Sequence, residues 1–182
     1  MFKFINKERT VYKGHHWSFP FTIHRVGGNG HTFYVKAEDP QMWSYVLNGE
    51  DQKDWNKLVG LKKNFFQPKK NSIMVGWRFD PHTQEVQFTP YWHDSKGNAY
   101  YWDDNKCASI DYNIFLESNP VVIIHINKVS ISVSILDSLN TYHSVIPHEA
   151  NVSYKNWLIT HWFGGTSPSP KKIKFKVSHF PY

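Results

Sequence analysis

A chain of 182 residues with 40% hydrophobic content can bury one substantial core and is too short for a second, so residues 1–182 are read as a single domain. A lone cysteine, Cys107, excludes an internal disulfide framework, and no apolar stretch is long enough to cross a membrane as a helix. The net charge of +6 rests on lysines spread evenly along the chain, the pattern of a solvated surface, whereas an aromatic share of 17% raises the expectation of a stacking site.

Met1 to Arg9 contains no apolar run of signal-peptide length, so synthesis in the cytoplasm without a signal peptide is expected. Arg9 to Phe21 and Thr32 to Ala37 read as strands, and Gly27-Gly28-Asn29-Gly30 between them reads as a turn with positive φ angles. Asp51 to Leu58 is the one plausible helical turn. In Asn71 to Asp80, Ile73, Val75, Trp77 and Phe79 share one face while Ser72, Met74, Gly76 and Arg78 share the other, and Gly76 beside Arg78 leaves room for a close approach to the backbone.

The turn Asp80-Pro81-His82-Thr83 then leads into Glu85 to Trp92, giving a hairpin, and Ser95-Lys96-Gly97-Asn98 starts a further one into Ala99 to Trp102. Cys107 to Glu117 continues the strand pattern. Pro120 to Asn127 is apolar on nearly both faces, as in a central strand covered from both sides. In Lys128 to Leu136, Val129, Ile131, Val133 and Ile135 alternate with Ser130, Ser132 and Ser134, one core face and one hydroxyl face. Lys171 to Val177 alternates lysine with apolar residues and reads as an outer strand whose lysines discourage edge pairing. Roughly ten to twelve short strands without a sustained helical period predict an all-β fold, a two-sheet antiparallel β-sandwich of the jelly-roll kind.

Among chemistries, metal binding lacks support, because His15-His16 is adjacent on a strand and no ligand pair has chelating spacing; no metal and no cofactor are expected. The glycine turn lacks the strand-to-helix context of a phosphate loop. Cys107, beside Lys106 at a strand start, reads as a structural thiol. Nucleic acid is disfavoured, since Asp94, Asp103 and Asp104 accompany the clustered rings where a phosphate groove would carry lysine or arginine.

Non-catalytic binding asks for planar rings on a rigid sheet with polar neighbours. Trp17, Tyr91, Trp92, Tyr100, Tyr101, Trp102 and Trp162 supply rings beyond the needs of the core, whereas Trp77, Phe79, Phe88 and Trp157 read as core. Neighbours on a strand alternate, so Tyr91-Trp92-His93 and Tyr100-Tyr101-Trp102 cannot all point inward. The candidate ligand-binding residues are Arg78, Gln87, Tyr91, His93, Tyr101 and Trp162; none is assigned a catalytic role. The alternative is a polysaccharide lyase, in which Arg78, Gln87, Tyr91 and His93 on one hairpin face, with His125 on a neighbouring strand, would neutralise a carboxylate and move protons.

Four segments carry a resemblance: Gly14 to Ser18, Asp54 to Gly60, Asn71 to Arg78, and Trp162-Phe163-Gly164-Gly165 followed by Pro168 and Pro170. Together they resemble an uncharacterised family of Bacteroidetes-type bacteria and tailed phages. The last segment is also similar to the ending of concanavalin-like jelly rolls, which include lectins and alginate-lyase-like enzymes. Lys172, Lys174 and Lys176 lack the tyrosine that the lyases carry on their C-terminal strand. The resemblance implies a virion component, a capsid decoration, head-fibre or tail-associated module, that forms a symmetric homo-oligomer and holds a glycan or a neighbouring virion or surface protein.

Overall fold

The computed structural model describes residues 5–19, 25–64, 66–67, 69–101, 107–136, 141–147, 155–159 and 161–182. In chain order the strands are β1 (Ile5–Val11), β2 (Ser18–Phe19), β3 (Arg25–Gly27), β4 (Gly30–Ala37), β5 (Asn56–Lys62), β6 (Ser72–Asp80), β7 (Glu85–His93), β8 (Ala99–Tyr101), β9 (Ala108–Asp111), β10 (Val121–Asn127), β11 (Ser130–Leu136), β12 (Thr141–Pro147), β13 (Lys155–Ile159) and β14 (Ile173–Pro181). One sheet runs β12-β11-β10-β4-β14-β1-β2; the other runs β3-β13-β5-β6-β7-β8, with β9 also paired to β7. All the pairings are antiparallel, and the architecture is the two-sheet jelly-roll sandwich that the strand pattern predicts.

Period-two alternation supplies the core between the sheets. Phe33 and Val35 on β4, Val122, Ile124 and Ile126 on β10, and Phe175 on β14 face Ile73, Val75, Trp77 and Phe88 on β6 and β7, all at most 1% exposed. Trp43, at the end of a 3-10 turn over Pro40–Trp43, plugs the middle: its ring centroid lies within 5.6 Å of those of Trp77, Phe88, Phe115 and Phe175. Arg9, His31, His161 and His179 are also buried, each at most 4% exposed. His31 Nδ1 lies 3.1 Å from His179 Nε2, and Arg9, His161 and His179 border a void of about 20 Å³.

Several local expectations are corrected. Cys107 to Glu117 is not one strand: β9 gives way to a helix, α1 (Tyr112–Ser118), because the Asp111 carboxylate caps it by accepting from Asn113 N–H at 2.8 Å and Asn119 ends it in the left-handed region. Tyr112 and Phe115, three apart, then face the core. Helical turning occurs at Gly49–Lys53, not through Leu58, since Asn56 already pairs in β5. The lysine-alternating strand is central, not outer: β14 lies between β4 and β1, and Lys174 Nζ bonds Glu8 on β1 at 3.1 Å and Glu38, just past the end of β4, at 2.7 Å. β10 is central, but only alternate residues are buried. In the serine-alternating segment the strand starts at Ser130, leaving Val129 69% exposed in the turn, and Ser132 and Ser134 are buried as well. His125 belongs to the first sheet, bonded to Thr32, and not to the hairpin's sheet. Trp157 is half-buried beneath the Arg25 guanidinium instead of in the core.

Candidate functional site

The β6–β7 register pairs Met74 with Tyr91, Ser72 with His93 and Arg78 with Gln87, so the polar face of the hairpin is shared as the alternation predicts. Part of that face is covered by the chain itself. Trp55, 5% exposed, lies over Gly76, where an added Cβ would sit 3.2 Å from the Trp55 Cβ and 3.1 Å from Thr89 Cγ2. The room that glycine leaves is filled by the protein's own indole.

Arg78 fastens this cover. Its guanidinium stacks over the Trp55 ring at 4.2 Å, its Nε–H donates to Gln87 Oε1 at 2.8 Å, and its Nη1–H donates to the Lys53 carbonyl at 2.8 Å. Arg78 and Gln87 are therefore joined to each other and buried, and Arg78 borders a cleft of about 300 Å³ together with Lys53, Asp80 and His82.

A second cleft, of about 210 Å³, brings Tyr91, His93 and Trp162 together with Lys57, Lys69 and Met74. Its far wall is the segment after β13. Trp162 exchanges both backbone hydrogen bonds with Lys57 at 2.8 Å, and Gly164 N–H donates to the buried Asn56 side chain at 2.7 Å. At Gly164 a Cβ would stand 2.4 Å from the Trp55 carbonyl oxygen, so only glycine allows the wall to lie this close. Asp51 ties the same segment down by accepting from the Thr166 and Ser167 hydroxyls, which hold its carboxyl below the usual carboxylate range.

Rings line up through this cleft. Tyr101 stacks on Tyr91 with centroids 5.4 Å apart and planes 6° from parallel, and Trp17 stacks on Trp162 at 4.3 Å. The outer members are open to solvent, Tyr101 at 52% and Trp17 at 50% exposed. Trp92 and Tyr100 stack on each other on the opposite side of β7, where Trp92 packs on the core, so strand alternation divides the aromatic cluster as the sequence requires. Trp102 lies outside the described residues.

The electrostatics of the cleft centre on Lys57. Its ammonium sits 4.5 Å over the Tyr91 ring and donates to the Trp55 carbonyl at 2.7 Å, and burial pulls its pKa down to about 8. Burial also raises the Tyr91 hydroxyl, with the charges of Tyr101 and Asp54 adding to the effect. His93, bonded through Nδ1 to Ser72 Oγ at 2.8 Å, is lowered by burial and then by Lys57 and Lys69. The two lysines were missed by sequence reasoning, although Lys57 falls within an apolar strand, an unusual place for an ammonium. Among the described residues no group of three His, Cys, Asp or Glu side chains is arranged to hold a metal ion.

No protein-family model matches the sequence, and no curated protein is similar to it. Solved structures do match in fold. The chain is similar to alginate lyase from Klebsiella pneumoniae, with a TM-score of 0.55 and 11% identity over 86% of this chain and 61% of that one. It is similar to a legume lectin-like domain from Entamoeba histolytica, with a TM-score of 0.54 and 11% identity over 98% of this chain and 90% of that one. The enzymatically active domain of tailspike protein 2 from bacteriophage CBA120 gives a TM-score of 0.51 and 10% identity over 88% of this chain and 24% of that one. The chain thus spans less than two thirds of the lyase and about a quarter of the tailspike domain. At these identities the likeness establishes the fold, a jelly-roll β-sandwich. This one carries a ring-lined, lysine-bearing cleft on the outer face of its second sheet.

Proposed function

We propose that the protein is a non-catalytic carbohydrate-binding module that holds an extended glycan across the cleft between Tyr91 and Trp162. The observation that carries this reading is the row of stacked rings, Tyr101 on Tyr91 and Trp162 on Trp17, flanking a concave site with polar groups at its floor. Tyr91, His93, Tyr101 and Trp162 are the contact residues in this proposal, and Arg78 with Gln87 supports the Trp55 cover beneath them. The lectin-like and lyase neighbours agree with a sugar ligand but carry only the fold.

A lyase would ask Tyr91 to give up its proton, and burial makes that harder, which favours binding over cleavage. We extend the proposal to the setting, a symmetric oligomer on a virion surface, which detection of the chain in purified particles would test. For the binding reading, wild type should retain oligosaccharides on a glycan array, and Trp162→Ala or Tyr91→Ala should weaken that retention about tenfold, or ~1.4 kcal/mol. Turnover of any bound polysaccharide, lost in Tyr91→Phe, would replace binding with the lyase alternative.

A further inference from the structure

Lys57 is held in place by more than its own side chain. Its backbone N–H and C=O both pair with Trp162, so the ammonium is built at a fixed position relative to the indole. One N–H is used on the Trp55 carbonyl, and the Tyr91 ring covers one side. Among the described residues no carboxylate stands within ion-pair distance of it.

The nearest acids are committed elsewhere. Asp51 is bonded to Thr166 and Ser167, and Asp94 accepts the backbone N–H groups of Lys96, Gly97 and Asn98 in the β7–β8 turn. Asp54 acts on Lys57 through its field alone, and burial together with Asp51 makes that carboxyl harder to ionise. Lys69 lines the same cleft and repels both Lys57 and His93. The cleft thus gathers a half-buried cation, a second lysine and a histidine with no carboxylate in direct contact with Lys57, an arrangement that an anionic group seated there would stabilise.

Resting on the glycan reading above, we infer that the cleft selects sugars bearing an anionic substituent, a carboxylate or a sulfate ester, seated on Lys57 with Lys69 at its side. The sugar ring stacks on the aromatic row while the anionic group meets the ammonium. Lys57 sets the charge preference; Trp162 and Tyr91 set the affinity common to all sugars.

The test is a glycan array carrying matched neutral, uronate-containing and sulfated oligosaccharides, probed with wild type, Lys57→Met, Lys69→Met and Trp162→Ala. Wild type should bind charged members at least about tenfold better than their neutral counterparts, with the margin shrinking as salt is added. Lys57→Met should erase the margin, bringing charged members down to the level of their neutral counterparts, and Lys69→Met should narrow it. The uronate and sulfate members separate the two anion sources, and binding of either one supports the inference. The stability readout is independent of any sugar: Lys57→Met should shift the thermal midpoint little, because relief of the ammonium's desolvation offsets the hydrogen bond lost at the Trp55 carbonyl. Binding confined to neutral sugars, abolished in Trp162→Ala and indifferent to Lys57→Met, would overturn this inference and leave the glycan reading standing. Silence across all three classes from folded protein would overturn the glycan reading itself.

Discussion

Acidification from pH 7.5 to pH 5 should remove about 4 kcal/mol of folding stability, and two histidines between the sheets supply that figure. Burial lowers His31 to about 4 and His161 to about 3, from an unfolded value of 6.5. At pH 5 the unfolded chain binds a proton at each site and the folded protein resists it, a penalty of about 2 kcal/mol per histidine. The sign follows from the depressed folded values: the stability is complete above pH 6.5 and declines as pH falls toward 4. His93 is lowered too and adds in the same direction, whereas Asp54 is raised and opposes weakly. Urea unfolding followed by tryptophan fluorescence at several pH values measures the slope. His161→Phe, which keeps a flat ring against Trp77 and Phe175, should recover about half of the loss. A wild-type stability that stays flat from pH 7.5 to 5, or an unchanged slope in His161→Phe, would refute the reasoning.

Gly164→Ala should destabilise by ~1–3 kcal/mol, since its Cβ would meet the Trp55 carbonyl oxygen at 2.4 Å and the wall must retreat. The same variant should lose glycan retention in proportion, measured on the array beside a thermal melt. Arg78→Met should cost ~1–3 kcal/mol, because Gln87 and the Lys53 carbonyl lose a buried donor, while affinity measured by calorimetry stays within about twofold of wild type. A large affinity loss with unchanged stability would move Arg78 from the support of Trp55 into the binding surface.

Much of the fold was legible because β-strands write their burial in alternation. Ile73, Val75, Trp77 and Phe79 sit inward as spaced, and the same rule sends Tyr91 and His93 outward while turning Trp92 to the core. Where local signals compete, the reading failed. Asp111 and Asn119 cap a helix inside a segment whose apolar residues also suit a strand, and only the packing of Phe115 against Trp43 decides between them. Lysines on alternate positions suggest an edge, yet Lys174 is central and complemented by Glu8 on β1 and by Glu38 just beyond β4, a relation that depends on pairing and not on spacing. Within the site, the aromatic half was visible as rings in excess of the core. Lys57 was not, since its meaning arises only when Trp162 arrives beside it.

That arrival gives the cleft a kinetic character. Gly164 and Asn56 bond across 108 positions, and Trp17 closes on the same wall from near the start of the chain. Contacts between such distant segments require the intervening chain to close first, so we expect the walls to form late in folding. If the cleft holds a glycan as proposed, binding during refolding should return with the final phase of the tryptophan signal, making the cleft a reporter of completed assembly.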